Sequence, residues 1–127
     1  MSLNYTKKTV EHFLHPKNIG EVKNPDAVAE VGNMVCGDQL SFSLKVEDGR
    51  VKDIKFLSFG CASNIATASI MTEKVKGMTL EEAKNFQWKD IVEDLGGLPK
   101  QKIHCSILAS EGLKKVIEAY EEKNKKD

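Results

Sequence analysis

Three cysteines are the side chains of this sequence best suited to chemistry, and each lies at a predicted break between elements. Cys36 precedes an alternating strand, Cys61 follows a strand and precedes a helix, and Cys105 lies near the start of the last helix. A helix N-terminus lowers the pKa of a thiol, because the positive end of the helix dipole stabilises the thiolate. We therefore expect Cys61 and Cys105 to be thiolates that can bind a metal ion or act as nucleophiles.

Two further side chains complete a candidate ligand set. Asp38 lies two residues after Cys36, and His104 directly precedes Cys105. Three thiolates with one carboxylate or imidazole form a tetrahedral zinc site, and the same groups suit a 2Fe–2S cluster, which needs four protein ligands. The cysteines are separated by 24 and by 43 residues, which matches no compact zinc finger. Spacing alone therefore leaves a shared metal site and three unrelated thiols equally open.

The other two histidines, His12 and His15, are predicted to lie on the first helix or at its end. They are three positions apart, so they share a helix face. Neither has a cysteine or carboxylate ligand pattern around it. We therefore predict that both are exposed surface side chains.

Composition limits both the architecture and the partners. A chain of 127 residues has the usual size of one domain, so we predict a single domain over residues 1–127. Lys plus Arg equals Asp plus Glu at 19 each, which gives no electrostatic reason to expect binding to nucleic acid or to an acidic membrane. There is no apolar run of membrane-spanning length and no signal-peptide hydrophobic region near the N-terminus. We expect a cytoplasmic protein with free thiols.

The order of the predicted elements indicates an α+β fold. They are a helix over 5–15, strands over 28–35, 40–46 and 50–59, and helices over 62–76, from 79, over 88–95 and over 103–120, with a frayed tail after that. Asp48-Gly49 predicts a hairpin turn between the second and third strands. The mixed phase of the third strand predicts either a bulge or burial on both faces. We expect a three-stranded antiparallel sheet with helices packed on one face.

Three segments together resemble the IscU family of iron–sulfur cluster scaffolds, to which the N-terminal domain of NifU proteins also belongs. They read VGNMVCGDQLSFSLKV, FGCASNIATASIMTEKVKGMTLEEA and KIHCSILASEGLKKVI, and the resemblance runs from about Tyr5 to Tyr120. It implies that five residues surround one solvent-accessible site for a transient 2Fe–2S cluster. These are Cys36 and Asp38 of a CGD motif, Cys61 of a GC-x-[SA] motif, and His104 and Cys105 of an HCS motif.

The resemblance also implies partners. Sulfur would come from a cysteine desulfurase of the IscS or NifS type, iron from an iron donor, and the cluster would pass to apo-proteins. Such a protein is an assembly scaffold and carrier, not an enzyme, and zinc can occupy the same site. The alternative is a zinc-binding protein similar to SufU, which accepts persulfide sulfur from the desulfurase. Members of that group usually carry an insertion between the second and third cysteines that this chain lacks, which favours the IscU type.

One motif departs from the family pattern. Many members carry LPPVK before the HCS motif, a sequence recognised by a DnaK-type chaperone. Here Leu98, Pro99 and Lys102 match it, but Lys100 and Gln101 replace the second proline and the valine. Two polar side chains in place of a stiff apolar pair predict weak docking in an apolar chaperone cleft, so dependence on that chaperone is not expected.

Overall fold

The structure is a computed structural model and describes residues 5–33 and 37–125. Its elements are α1 (Lys7–Leu14), β1 (Ala27–Asn33), β2 (Asp38–Glu47), β3 (Arg50–Phe59), α2 (Ala62–Val75), α3 (Leu80–Lys84), α4 (Trp88–Asp94), a 3₁₀ turn (Lys100–Lys102) and α5 (Ile103–Lys125). The predicted α+β class is confirmed. The last two residues of the predicted first strand, Met34 and Val35, lie outside the described residues. Among the described helices, none has the length and apolarity needed to cross a membrane.

The three strands form an antiparallel sheet in the order β1-β2-β3. Asp48 and Gly49 join β2 to β3 with φ values of 56° and 72°, as a type I′ turn requires, so the predicted hairpin is confirmed. The register shifts between Lys45 and Val46, where a bulge interrupts the pairing. Of the two explanations for the mixed phase of β3, the bulge is therefore correct.

One face of the sheet forms the core. Leu40, Phe42, Leu44, Ile54 and Phe56 have no exposed surface, as the alternation of the second strand predicts. Helix α5 packs across β1 and β2, and α2 packs against β3. The start of each helix is thereby held at a fixed place beside the sheet.

The segment between α1 and β1 crosses the opposite face of the sheet. The amide of Gly20 donates to the carbonyl of Phe56 at 2.9 Å, which adds this segment to the edge of β3. Further along, the amide of Val22 donates to Oγ of Ser43 at 2.8 Å. Ser43 alternates with Phe42 and Leu44, so this contact lies on the side away from the helices and accounts for the burial of its hydroxyl.

The contact between α1 and α2 corrects one prediction. His12 is only 7% exposed, and its Nδ1 lies 2.7 Å from Oγ of Ser69, which also accepts the amide of Lys17 at 2.8 Å. Burial lowers the pKa of His12. The prediction of an exposed side chain is wrong for His12, because a serine 57 positions later supplies a buried partner. It is confirmed for His15.

The last helix is longer than the sequence predicts. It continues past Tyr120 to Lys125, although a frayed tail was expected there. Both carboxylate oxygens of Glu121 lie 3.0 Å from Nζ of Lys84 on α3. This contact ties the extra turn to the body of the protein.

Candidate metal centre

Three elements begin at one place, and each contributes a side chain that can bind a metal. Asp38 is the first residue of β2, Cys61 is the N-cap of α2, and Cys105 is the third residue of α5. One ligand atom from each of the three lies within 4.8 Å of the others. The structure thus brings together three of the five predicted site residues in one cluster. Cys36 lies outside the described residues, so its position stays a prediction.

The two sulfur atoms are close but differ in exposure. The Sγ atoms of Cys61 and Cys105 are 3.9 Å apart. Cys61 is half-buried, whereas Cys105 has no exposed surface. The hydroxyl of Ser63 lies 3.1 Å from the first sulfur and 3.2 Å from the second. The pair is therefore bridged by a buried hydroxyl that the sequence reasoning did not single out.

The pKa values of the two thiols are shifted in opposite directions. The pKa of Cys61 falls to about 4, because its thiolate accepts hydrogen bonds from the Cys105 thiol, from Ser63 and from the backbone of Asn64. The pKa of Cys105 rises, because its proton is held by the Cys61 thiolate and its sulfur is buried. The pKa of Cys61 is lowered, which is the direction predicted for both thiols. The pKa of Cys105 is raised instead, because this sulfur is buried beside a second sulfur.

His104 lies at the edge of the cluster, against the carboxylate. Its Nε2 is 2.9 Å from Oδ2 of Asp38 and 3.7 Å from Sγ of Cys105, and its Nδ1 is 3.1 Å from the carbonyl of Gln101. The side chain of His104 is 56% exposed and that of Asp38 19% exposed. His104 can therefore bind a metal through Nε2 only after its contact with Asp38 is broken.

The backbone amide of Cys61 donates to Oδ1 of Asp38 at 3.4 Å, and two neighbouring residues shape the space around this carboxylate. A Cβ atom on Gly60 would lie 2.5 Å from Oδ1 of Asp38 and 2.8 Å from Nδ2 of Asn64, so a larger residue there would displace these side chains. The buried Asn64 donates from Nδ2 to the carbonyl of Gln39 at 3.3 Å and to Oγ of Ser58 at 2.8 Å. This amide joins the first turn of α2 to the ends of β2 and β3. The signal in the sequence was a polar residue one turn after a capping cysteine.

Lys102 supplies a positive charge to the site. Its pKa is raised chiefly by the Cys61 thiolate and also by Tyr5 and the Cys105 sulfur. Because a charge–charge interaction acts equally on both partners, the ammonium of Lys102 stabilises the thiolate of Cys61 in return. In the sequence, Lys102 belongs to the altered chaperone motif and flanks the start of the last helix, and its place two residues before His104 was the available signal.

The donor set combines soft and hard ligands. Two sulfurs and one carboxylate oxygen suit zinc or iron, whereas magnesium and calcium prefer oxygen alone. Three ligands leave at least one coordination position for a further residue or an incoming molecule. Such a centre can take up and release a metal or cluster more readily than one enclosed by four thiolates.

Comparison with known proteins agrees with this donor set. Residues 4–127 match the model of the family described as "NifU-like N terminal domain". This chain belongs to that family. The NifU-like N-terminal domain accounts for all the elements of the fold described above, and the cysteine motifs that carried the resemblance lie within the matched residues.

Named members of the NifU-like family and its solved structures are similar over most of the chain. The protein called "Iron-sulfur cluster assembly scaffold protein IscU 1" of Archaeoglobus fulgidus is 49% identical over 122 residues, covering 96% of this chain and 80% of that protein. The IscU scaffold protein of Aquifex aeolicus is 45% identical, covering 94% and 78%. The crystal structure of a NifU-like N-terminal protein from Brucella abortus is 26% identical, covers 93% of this chain and 94% of its own, and has a TM-score of 0.71.

Proposed function

We propose that this chain is a scaffold on which a transient 2Fe–2S cluster is assembled and from which it passes to apo-proteins. One observation carries the proposal: in a chain of the NifU-like N-terminal family, Asp38, Cys61 and Cys105 present their ligand atoms within 4.8 Å of one another. Relatives with close to half of their residues identical are named iron–sulfur cluster assembly scaffold proteins. The cluster is cargo in this function, and the protein acts as a carrier and not as an enzyme.

The proposed ligands are Cys36, Cys61 and Cys105, with either Asp38 or His104 in the fourth position. The contact of 2.9 Å between Asp38 and His104 supports an exchange, in which one binds the cluster while the other is released. A carboxylate is a hard ligand and holds iron sulfide less firmly than a thiolate does. That difference suits a cluster that must leave.

The proposed partners follow from the cargo. Cluster assembly needs a sulfur donor, for which a cysteine desulfurase of the IscS or NifS type is proposed, and an iron donor. It also needs apo-proteins that accept the cluster. The polar pair Lys100 and Gln101 stays the reason for proposing that a DnaK-type chaperone is not required. We propose that one domain, residues 1–127, carries out cluster assembly and transfer in the cytoplasm.

Zinc is proposed as a second occupant of the same centre. Two sulfurs with a carboxylate or an imidazole form a donor set that zinc accepts. If zinc binding with sulfur transfer were the main activity, a cysteine of the site would carry persulfide sulfur and no cluster would form.

The test is a reconstitution of the metal-stripped full chain. It is incubated without oxygen with ferrous iron, cysteine and a cysteine desulfurase, and an apo-ferredoxin is added afterwards. A visible chromophore that moves to the ferredoxin is expected, and it should be lost in Cys61→Ala but kept in Ser110→Ala, a buried hydroxyl on α5 away from the cysteines. Tight zinc, persulfide and no chromophore would support sulfur transfer instead. Absence of metal, persulfide and chromophore would overturn both.

A further inference from the structure

Ser63 is a buried hydroxyl between the two sulfurs, and the ligand set does not include it. It has no exposed surface. Its Oγ lies 3.1 Å from Sγ of Cys61 and 3.2 Å from Sγ of Cys105, and the two sulfurs are 3.9 Å apart. The three atoms form a compact triangle at the base of the centre, where solvent does not reach the hydroxyl.

The position of Ser63 in its helix explains why its hydroxyl faces sulfur. Four other buried hydroxyls on α2 and α5 donate to the carbonyl three residues earlier in their own helix: Thr67 to Asn64, Thr72 to Ser69, Ser106 to Ile103 and Ser110 to Ile107. Ser63 is the second residue of α2, so no preceding turn of its own helix offers a carbonyl. Among the described residues, its hydrogen-bond partners are the two sulfurs.

We propose that Ser63 is a positioning residue that donates a hydrogen bond to the metal-bound thiolates of Cys61 and Cys105 and thereby sets how firmly they hold their cargo. The inference rests on the proposed function in taking both cysteines as ligands. When both sulfurs bind metal as thiolates, neither keeps a proton. The hydroxyl of Ser63 is then the donor and a sulfur is the acceptor, whichever of the two atoms donates in the metal-free protein.

The expected consequence is a weaker and unequal pair of metal–sulfur bonds. A hydrogen bond to a thiolate withdraws electron density from sulfur, which lowers its donor strength and raises the reduction potential of an iron–sulfur cluster. Ser63 has one hydroxyl proton, so it serves one sulfur at a time. A weakened metal–sulfur bond favours release of the cluster to an acceptor thiol.

The test uses cobalt(II) as a probe of the sulfur ligands. The metal-stripped full chain, Ser63→Ala and the control Ser110→Ala are titrated with cobalt(II), and the sulfur-to-cobalt charge-transfer band is recorded. Electron-richer thiolates transfer charge at lower energy, so the band of Ser63→Ala should shift to longer wavelength. Ser110→Ala removes a buried hydroxyl bonded to backbone, and its band should stay in place. Circular dichroism shows whether each variant is folded.

A second measurement follows release. Cluster transfer from Ser63→Ala to apo-ferredoxin should be slower by about tenfold or more, the effect of losing one hydrogen bond to a charged group. A cobalt band that does not move, or one that moves equally in the control, overturns the inference. Loss of cobalt binding in a folded Ser63→Ala also overturns it, because Ser63 would then be needed for binding itself. Failure of the proposed function appears separately, as a wild-type chain that binds cobalt but forms no cluster.

Discussion

Nε2 of His104 lies 2.9 Å from Oδ2 of Asp38, although the two residues are 66 positions apart in the chain. The first turn of α5 is thereby joined to the first residue of β2. Both side chains are candidate ligands, and the contact uses Nε2 of His104 but only one of the two carboxylate oxygens of Asp38. In the proposed ligand set, Asp38 and His104 are therefore alternative candidates for the fourth position.

Asp38→Ala should lengthen the lifetime of an assembled cluster by about tenfold, the usual scale of changes next to a metal ligand. The variant removes a weak carboxylate ligand and frees His104 to bind in its place. The decay of the visible chromophore of a reconstituted cluster measures this directly. Glu118→Ala, an exposed carboxylate on α5, is the control and should leave the decay unchanged. Equal decay rates in Asp38→Ala and the wild type would show that the carboxylate has no part in release.

Alkylation of the metal-stripped chain should modify Cys61 before Cys105. The pKa of Cys61 is lowered to about 4, so its thiolate is fully formed and its rate should be flat between pH 6 and 8. A thiol with an ordinary pKa would react nearly a hundredfold faster at about pH 8 than at about pH 6. The pKa of Cys105 is raised, so its rate should stay low and rise with pH. Mass spectrometry of peptides resolves each site, and faster labelling of Cys105 would contradict the assignment.

Lys102→Ala should move the alkylation profile of Cys61 to higher pH. The ammonium stabilises the thiolate, so its loss raises the pKa of Cys61. Cys61 and Lys102 are both partly exposed, so solvent screens their interaction. At a pH well below the pKa of Cys61, its alkylation rate should fall by about two- to fivefold. Lys100→Ala removes an exposed lysine two residues away and is the matched control. Identical profiles for the two variants would mean that Lys102 acts only through net charge.

Gly60→Ala should weaken metal binding without unfolding the protein. The new methyl group would lie 2.5 Å from Oδ1 of Asp38, so the carboxylate has to move away from the sulfurs. Gly60 itself is exposed, and the core contacts of the sheet do not involve it. We expect affinity for cobalt(II) to fall by about tenfold with little change in the thermal midpoint. An unchanged affinity for cobalt(II) would show that metal binding does not depend on the position of Asp38.

Gly112→Ala should destabilise the fold. The added Cβ would clash with Cε2 of Phe42 and would lie 3.0 Å from Cγ2 of Val31, so α5 would have to move away from the sheet. Overpacking costs about 1–3 kcal/mol, whereas Ala in place of Gly gains only about 1 kcal/mol of helix propensity. Urea unfolding should therefore show a lower midpoint. Lys114→Ala, exposed two residues later, should not, and a stabilised Gly112→Ala would mean that the helix sits farther from Phe42.

The parts of the fold that the sequence predicted are those decided by neighbouring residues. The alternation from Leu40 to Leu44 and the Asp48-Gly49 turn specify a hairpin without reference to the rest of the chain. The capping box at Thr79, with Glu82 three residues later, likewise begins α3 as predicted. In each case the signal and the structure span fewer than about ten residues, so local physics is sufficient.

The parts that were not predicted depend on distant partners. His12 is buried against Ser69, and the extra turn of α5 carries a contact between Glu121 and Lys84. Cys105 carries a raised pKa because α2 brings a second sulfur beside it. Periodicity and motif spacing contain no information about such pairs. The place of Cys36 is untested, since it lies outside the described residues.

The candidate metal centre is assembled from residues at the starts of β2, α2 and α5, which are brought together only when the sheet and the helices are packed. An unfolded chain therefore offers its ligands singly and binds cargo poorly. By thermodynamic linkage, each occupied molecule gains stability that grows with the logarithm of free ligand over its dissociation constant. Loaded molecules should resist proteolysis longer than empty ones. The stability of the fold would then depend on whether the site is loaded, and a protein that has delivered its cargo would be degraded faster by proteases than a loaded one.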